Sequence, residues 1–307
     1  MQALHLGYHY IRDSAAPGPN CAPSRLRKQI EALKGDGYQF LTCGEVAGRL
    51  DAKEPLPDKH VTLSFDDGLR DQFTTAFPIL QECGVPATFF VITCAFERKL
   101  PPVIGFQILI AELGAERLER EILPKVFAGT PYLDLLDPKR YDTSGRKMGE
   151  APEMRRIKWM FNHWPSQSFK VEKLDEMFDG WLGSGSQERF ACEYFMSADQ
   201  LQAMADSGME IASHTVTHPA LDVTGLDEIE QELSRSRRML YQLDIRASSF
   251  AWTFGGKFRP RARMIAGNTY MGSWNFLSEL KTMPEHPYAD LTDIPRLHEQ
   301  VFLPGVG

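Results

Sequence analysis

The sequence predicts an α/β fold in which parallel strands alternate with helices packed outside them, as one domain carrying a largely helical insertion. Three observations predict it. Short apolar runs alternate with amphipathic helical stretches on either side of a long interruption. The run Pro86-Ala87-Thr88-Phe89-Phe90-Val91-Ile92-Thr93 is apolar almost throughout, which suits a strand covered on both faces. Residues with distinctive chemistry, Asp66, Asp67, His214, His218 and Phe254, follow directly after predicted strands. That is the end at which barrels and open α/β sheets build their sites.

Residues 4–11 read as the first strand, and 12–23 as a turn-rich loop around Pro17-Gly18-Pro19-Asn20. Ser24 reads as a helix cap. Leu26, Ile30 and Leu33 share one helical face, and Gly35-Asp36-Gly37 ends that helix before a short strand over 38–42. Val61, Leu63 and Phe65 form the next strand, which ends abruptly in Asp66-Asp67-Gly68. Neighbouring strand side chains point to opposite faces, so both carboxylates reach one mouth only if the chain turns there; Gly68 supplies the positive φ. The alternative is a plain cap for the helix over 69–81, whose Phe73, Phe77 and Leu80 share a face and which stops at Gly84.

Over residues 97–190 the alternation lapses into helical and loop text, which predicts an insertion within a single domain spanning 1–307. Helices are expected over 112–126, 154–164 and 169–182. The apolar stretch 100–113 is interrupted by Gln107 and reads as a buried helix, with interfacial membrane contact as the lesser reading. Three of the five tryptophans, Trp159, Trp164 and Trp181, lie in the insertion; they read as packing anchors or as the lining of a carbohydrate groove. Alternation resumes with Ser197 and Gln200 as a capping box, an apolar face of Leu201, Met204 and Ala205, and a stop at Gly208. A strand over 209–213 leads into His214-Thr215-Val216-Thr217-His218. A helix over 227–243, a strand over 248–254, a basic helix over 258–266 and strands near 270–276 and 291–302 follow.

Composition excludes several partners. The 307 residues are 43% apolar and 24% charged, as in globular chains, so disorder is not indicated. Acidic residues outnumber basic ones 41 to 34, and no long Lys/Arg cluster occurs, so nucleic acid is not an expected partner. No apolar run approaches 18 residues, so no transmembrane segment is expected. Cys21, Cys43, Cys83, Cys94 and Cys192 are odd in number and form no Cys-x-x-Cys pair. With an N-terminus that lacks the features of a secretory signal, they point to a cytoplasmic location.

His214 and His218 are four apart, so one helical turn or one compact loop aims both imidazoles at a point, and imidazole suits zinc and its neighbours. An isolated pair of this kind is weak evidence. The paired carboxylates at another strand end turn it into a candidate site of two histidines and one aspartate for a divalent metal.

Three separate stretches resemble the NodB-type polysaccharide deacetylases, carbohydrate esterase family 4. Ser64-Phe65-Asp66-Asp67-Gly68 and His214-Thr215-Val216-Thr217-His218 are similar to the two metal motifs of that family. Phe77-Pro78-Ile79-Leu80, Gly84 to Phe90 and Gly208 to Ser213 resemble the text around them. The resemblance covers about residues 4–93 and 196–258 and implies a distorted (β/α)7-type barrel. It implies that Asp67, His214 and His218 hold a divalent metal, zinc with cobalt or nickel as alternatives, and that Asp66 is the catalytic base. The main-chain N–H of Phe254 would help to hold the oxyanion, and Arg296 would orient the base; an ordinary surface ion pair is the competing reading of Arg296. For the general acid, Tyr8-His9 resembles relatives that begin with a Tyr-His strand and look circularly permuted, and Leu297-His298 partly imitates the commoner arrangement; His9 is preferred.

The implied reaction removes an N-acetyl or similar small acyl group from an amino sugar in a saccharide or glycoconjugate. Ala251-Trp252-Thr253-Phe254-Gly255 lacks the prolines and arginine of the family's third motif, which leaves the groove and the substrate open. Two alternatives stand beside this reading: a metal-dependent hydrolase of cyclic imides or ureides, and a catalytically silent glycan-binding relative.

Overall fold

The computed structural model describes residues 2–14, 19–137, 152–163, 166–276, 283–284 and 287–301. Ten strands are present among them: β1 (Gln2–Tyr8), β2 (Tyr10–Ile11), β3 (Asn20–Cys21), β4 (Gln39–Phe40), β5 (Lys59–Phe65), β6 (Thr88–Val91), β7 (Glu210–Ser213), β8 (Ser249–Ala251), β9 (Gly272–Phe276) and β10 (Ile294–His298). β1, β5, β6, β7, β8, β9 and β10 follow one another around a parallel barrel, which closes because β1 pairs with both β5 and β10. β4 lies outside this ring, beside the first half of β5. β2 and β3 form a separate parallel pair.

The strand period of two sorts the side chains into two layers. Phe89, Val91, Ile211 and Phe250 join Val61, Leu63 and Phe65 in the largest buried cluster, with residues of the surrounding helices such as Leu26, Ile30, Leu80 and Leu233. Their neighbours Phe90, Ala212 and Ala251 belong to a second cluster inside the barrel with Trp274 and Ile294. Thr62 and Ser64 alternate with the outward residues of β5; Thr62 bonds to His5 on the adjacent β1, and Ser64 bonds to Arg296 on β10, one strand further round. Asp66 continues this inward series.

The bottom of the barrel is closed by the helix Cys43–Asp51, which contributes Cys43 and Val46 to the interior cluster. The expected strand over 38–42 therefore shortens to β4, because Thr42 and Glu45 form a capping box that starts a helix. The first helix runs Pro23–Gly35 with Ala22 at its cap and proline in its first turn. Ser24 is thus inside the helix rather than capping it, since proline needs no N–H partner there.

Between β6 and β7 the chain forms the helices Pro102–Leu113, Leu123–Phe127, Pro152–His163, Gln167–Leu182 and Ser186–Tyr194, with shorter turns. They share a third buried cluster, including Ile104, Phe106, Phe127, Phe161, Leu174 and Phe178, which meets the barrel through Tyr10, Leu69 and Val216. Gly114 breaks the helix expected over 112–126. Trp181 packs, partly buried, against this cluster; the Trp159 side chain and Trp164 lie outside the described residues. No helix among the described residues is long and apolar enough to cross a membrane.

Candidate active site

The upper end of β5 bends through two left-handed residues, Asp67 (φ 79°) and Gly68 (φ 74°). The turn therefore begins at the aspartate itself, a residue type that tolerates this conformation better than most. A Cβ on Gly68 would lie 3.0 Å from Val91 Cγ1, so close packing as well as φ favours glycine there. Thr215, His218 and Phe254 are left-handed too, so four of the seven non-glycine residues described with positive φ border this one mouth. Such backbone strain concentrates at functional sites.

Asp67, His214 and His218 offer ligand atoms that all lie within 4.8 Å of one another. Asp67 Oδ1 is 3.6 Å from Nε2 of each histidine. His214 Nδ1 donates its proton to the Ala251 carbonyl at 2.9 Å, which leaves Nε2 with a lone pair facing Asp67. His218 Nδ1 is buried without a hydrogen-bond partner.

Burial lowers His214 to about 4 and holds His218 well below its ordinary value, so both imidazoles are neutral, the form that ligates. Burial, then the charge of Asp66, raises Asp67 to about 7. A buried carboxylate facing two neutral imidazoles and a second carboxylate fits a bound divalent transition metal. Asp67, His214 and His218 are the residues that would hold it.

Asp66 is 3% exposed and turns the other way. Arg296, fully buried on β10, donates Nη1 to Asp66 Oδ1 at 2.6 Å and Nη2 to Oδ2 at 2.8 Å. The same Nη1 reaches Ser64 Oγ at 3.0 Å. The surface-pair reading of Arg296 therefore gives way to a buried two-pronged contact, made because closure of the barrel sets β10 one strand away from β5, across β1. Burial alone would raise the Asp66 carboxyl, but the charge and hydrogen bonds of Arg296, with His214, hold it well below the usual carboxylate range.

His9 interrupts the backbone between β1 and β2 at the same mouth. Burial lowers it to about 4, while the Asp66 charge pulls it upward and Arg296 and His298 push it down. Gln72 ties this segment to the turn after β5 by donating Nε2 to the main-chain oxygens of His9 (3.0 Å) and Asp66 (2.6 Å). His298 stands at the end of β10, where its Nδ1 accepts the Gln300 N–H at 3.2 Å. Burial lowers it as well, followed by Arg25. Phe254 is 49% exposed and sets its ring edge-on against His218 at a centroid distance of 4.7 Å.

Two supporting residues escape sequence reasoning. Glu232 accepts the N–H groups of Val216 (2.8 Å) and Thr217 (2.9 Å) and the Thr217 hydroxyl (2.6 Å), and so pins the loop between the two histidines. An acid on the buried stripe Ile229, Leu233, Ser236 and Leu240 of the helix Leu226–Tyr241 was the available signal. Gln167, from the insertion, donates Nε2 to Thr217 O (2.9 Å) and Oγ1 (3.0 Å) of the same loop; nothing in its local sequence announces this.

The family model described as Polysaccharide deacetylase matches residues 53–120 and 169–269, leaving out the middle of the insertion. The chain is 35% identical over 86 residues to the poly-beta-1,6-N-acetyl-D-glucosamine N-deacetylase of Escherichia coli (strain K12), 27% of this chain and 13% of that protein. It is 30% identical over 105 residues to the protein of the same description from Staphylococcus epidermidis, 30% of this chain and 36% of that one. The chain thus spans well under half the length of these curated relatives. Among solved structures, the Streptococcus pyogenes deacetylase PplD in complex with acetate superposes with a TM-score of 0.60 at 19% identity, covering 100% of this chain and 95% of that one. IcaB from Ammonifex degensii superposes with a TM-score of 0.57 at 16% identity, covering 97% and 91%. At these identities the superpositions show the fold.

Proposed function

We propose, from the premise that the chain belongs to the polysaccharide deacetylase family, that it is a metal-dependent hydrolase that removes N-acetyl groups from amino sugars of a saccharide or glycoconjugate. One observation carries the reading. Two adjacent aspartates are separated in role by their surroundings: Asp67 faces two neutral histidines, and Asp66 is held ionised by Arg296.

Asp67, His214 and His218 would hold a divalent cation, zinc in our reading, which when bound would supply Lewis acidity for an amide carbonyl and would bring the pKa of water from about 15.7 toward about 7. Asp66 takes a proton from the attacking water on a carboxylate oxygen; Arg296 orients that carboxylate and keeps it ionised. The main-chain N–H of Phe254 helps to stabilise the oxyanion, a contribution for which one donor is worth on the order of a hundredfold in rate. The amine leaves only when protonated. We assign that transfer to His9, which is neutral at rest and interacts with Asp66: as imidazole it takes up the proton that Asp66 received from the water, and as imidazolium it gives that proton to the amine nitrogen, leaving Asp66 ionised again. The proximity of Asp66 supports His9 over His298, whose Nδ1 is engaged by Gln300. Five unpaired cysteines support placing the reaction in a reducing, cytoplasmic setting.

The test is to incubate the zinc- or cobalt-loaded protein with N-acetylglucosamine oligomers and to quantify acetate and free amine. Both should appear together, and Asp66→Asn and Asp67→Ala should each abolish them. Ring opening of a cyclic imide or ureide with no acetate from any sugar would replace the deacetylase reading. Saccharide binding without metal uptake or turnover would replace it with that of a silent binding protein.

A further inference from the structure

One charged group beside the site takes no part in the scheme above. Lys170 stands one helical turn after Gln167 on the helix Gln167–Leu182. Gln167 fastens the start of that helix to the histidine loop through Thr217. Lys170 is 6% exposed, and no carboxylate among the described residues pairs with it. The acid that acts on it, more weakly than burial does, is Glu228 of the helix Leu226–Tyr241. Burial lowers Lys170 to about 8, so it still carries its charge at neutral pH.

Lys170 lines a small cavity together with Gln167, His218, Ala220, Val103 and Phe254. The barrel side of this cavity therefore includes a metal-site histidine, and the insertion provides the cation. Burying an ammonium without a partner costs several kcal/mol, and proteins retain such a group where it is paired. No carboxylate among the described residues supplies the pairing here, and the same small cavity is lined by His218 and Phe254 of the candidate site. An ammonium is a compact point charge that receives either carboxylate or phosphate oxygens.

We propose that Lys170 is a specificity residue that receives an anionic oxygen of the substrate, so that the preferred substrate is an acidic saccharide rather than a neutral homopolymer. This inference rests on the deacetylase reading and names its substrate class. A neutral sugar leaves the ammonium buried and unpaired. A carboxylate or phosphate close to the acetamido group completes the ion pair and adds a charged hydrogen bond.

The experiment measures kcat/KM for acetate release by the metal-loaded wild type and by Lys170→Met. Its substrates are a neutral N-acetylglucosamine oligomer, an oligomer alternating N-acetylglucosamine with glucuronate, and N-acetylglucosamine 6-phosphate. The wild type should prefer at least one acidic substrate, and the acidic arm that it prefers identifies the carboxylate or the phosphate as the source. Lys170→Met should lower that acidic-to-neutral ratio by about tenfold to a hundredfold, the scale of one hydrogen bond to a charged group. An equal ratio in both proteins, or a wild-type preference for the neutral oligomer, overturns the proposal. Lys170→Gln gives the same comparison should the methionine variant not fold. If no sugar is hydrolysed, it is the deacetylase reading that has failed. Calorimetric binding of glucuronate and of inorganic phosphate then decides the role of Lys170: affinity at least tenfold weaker in the variant sustains it, and equal affinity overturns it.

Discussion

Arg296 and Asp66, 230 residues apart in the chain, meet as a buried fork and carboxylate at 2.6 and 2.8 Å. Lysine keeps the charge of such a partner but loses the planar fork. Because Arg296 lowers the Asp66 carboxyl, Arg296→Lys should let it rise. A base works only when ionised, so activity is present above its pKa and lost below it. The acid limb of the kcat/KM profile should therefore move to higher pH in Arg296→Lys. Arg296→Met leaves a buried carboxylate unpaired and should cost about 3–5 kcal/mol in denaturant unfolding. A folded Arg296→Lys protein with an unmoved acid limb would count against the orienting role.

Metal should stabilise the wild type and leave Asp67→Ala unchanged. Burial and Asp66 raise Asp67 to about 7, so its ionisation opposes folding above the unfolded carboxylate value of about 3.9, and fully so above 7. Without metal, Asp67→Ala should accordingly melt at or above the wild-type temperature near pH 8. Zinc at a hundred times its Kd should stabilise the wild type by about 2.7 kcal/mol and leave the variant unmoved. Scanning calorimetry with and without a chelator reads both effects, and a wild-type Tm insensitive to zinc would remove the metal site.

Glu232 touches no substrate in the scheme, yet its carboxylate takes three donors of the loop between His214 and His218. Glu232→Ala strands two main-chain N–H groups and a hydroxyl, while Glu232→Gln retains an acceptor for part of them. Zinc affinity, measured by chelator competition, should fall about tenfold to a hundredfold in the alanine variant and less in the glutamine one. Equal affinity in all three proteins would confine Glu232 to folding.

The legible part of the site is the part contiguous in the chain. Asp66, Asp67, His214 and His218 each follow an apolar strand by one to five residues, so the alternation of strands and helices locates them all at one end of the sheet. Arg296 was harder, because its contact depends on β10 and β5 both lying against β1, which no local pattern records. Glu232 and Lys170 lie on helices whose local sequence assigns them no partner; only the packing of the helices Leu226–Tyr241 and Gln167–Leu182 buries them. The helix Cys43–Asp51 was readable from Thr42 and Glu45, but the preceding strand-like residues hid it. Where the chain bends at Thr215 and Phe254, residue propensity gave no warning, since tertiary contacts hold these left-handed conformations against it.

Glu299, directly after β10, supplies a test of pH dependence away from the metal ligands. It is 1% exposed, with Arg25 Nη2 3.3 Å from its carboxylate. Burial pushes its carboxyl up to about 7, while Arg25 draws it the other way. The folded protein therefore keeps this proton until about pH 7, whereas the unfolded chain releases it near 4.3. Between those values unfolding frees a proton, so this group makes stability fall as pH rises; above 7 the loss is complete. Glu299→Gln removes the ionisation and should stabilise the protein by about 1–3 kcal/mol at pH 8, with little effect at pH 4.5. Urea unfolding of both proteins at the two pH values measures the difference. A glutamine variant that is less stable at pH 8, or shifted equally at both, would show that the pairing with Arg25 outweighs the cost of burying the charge.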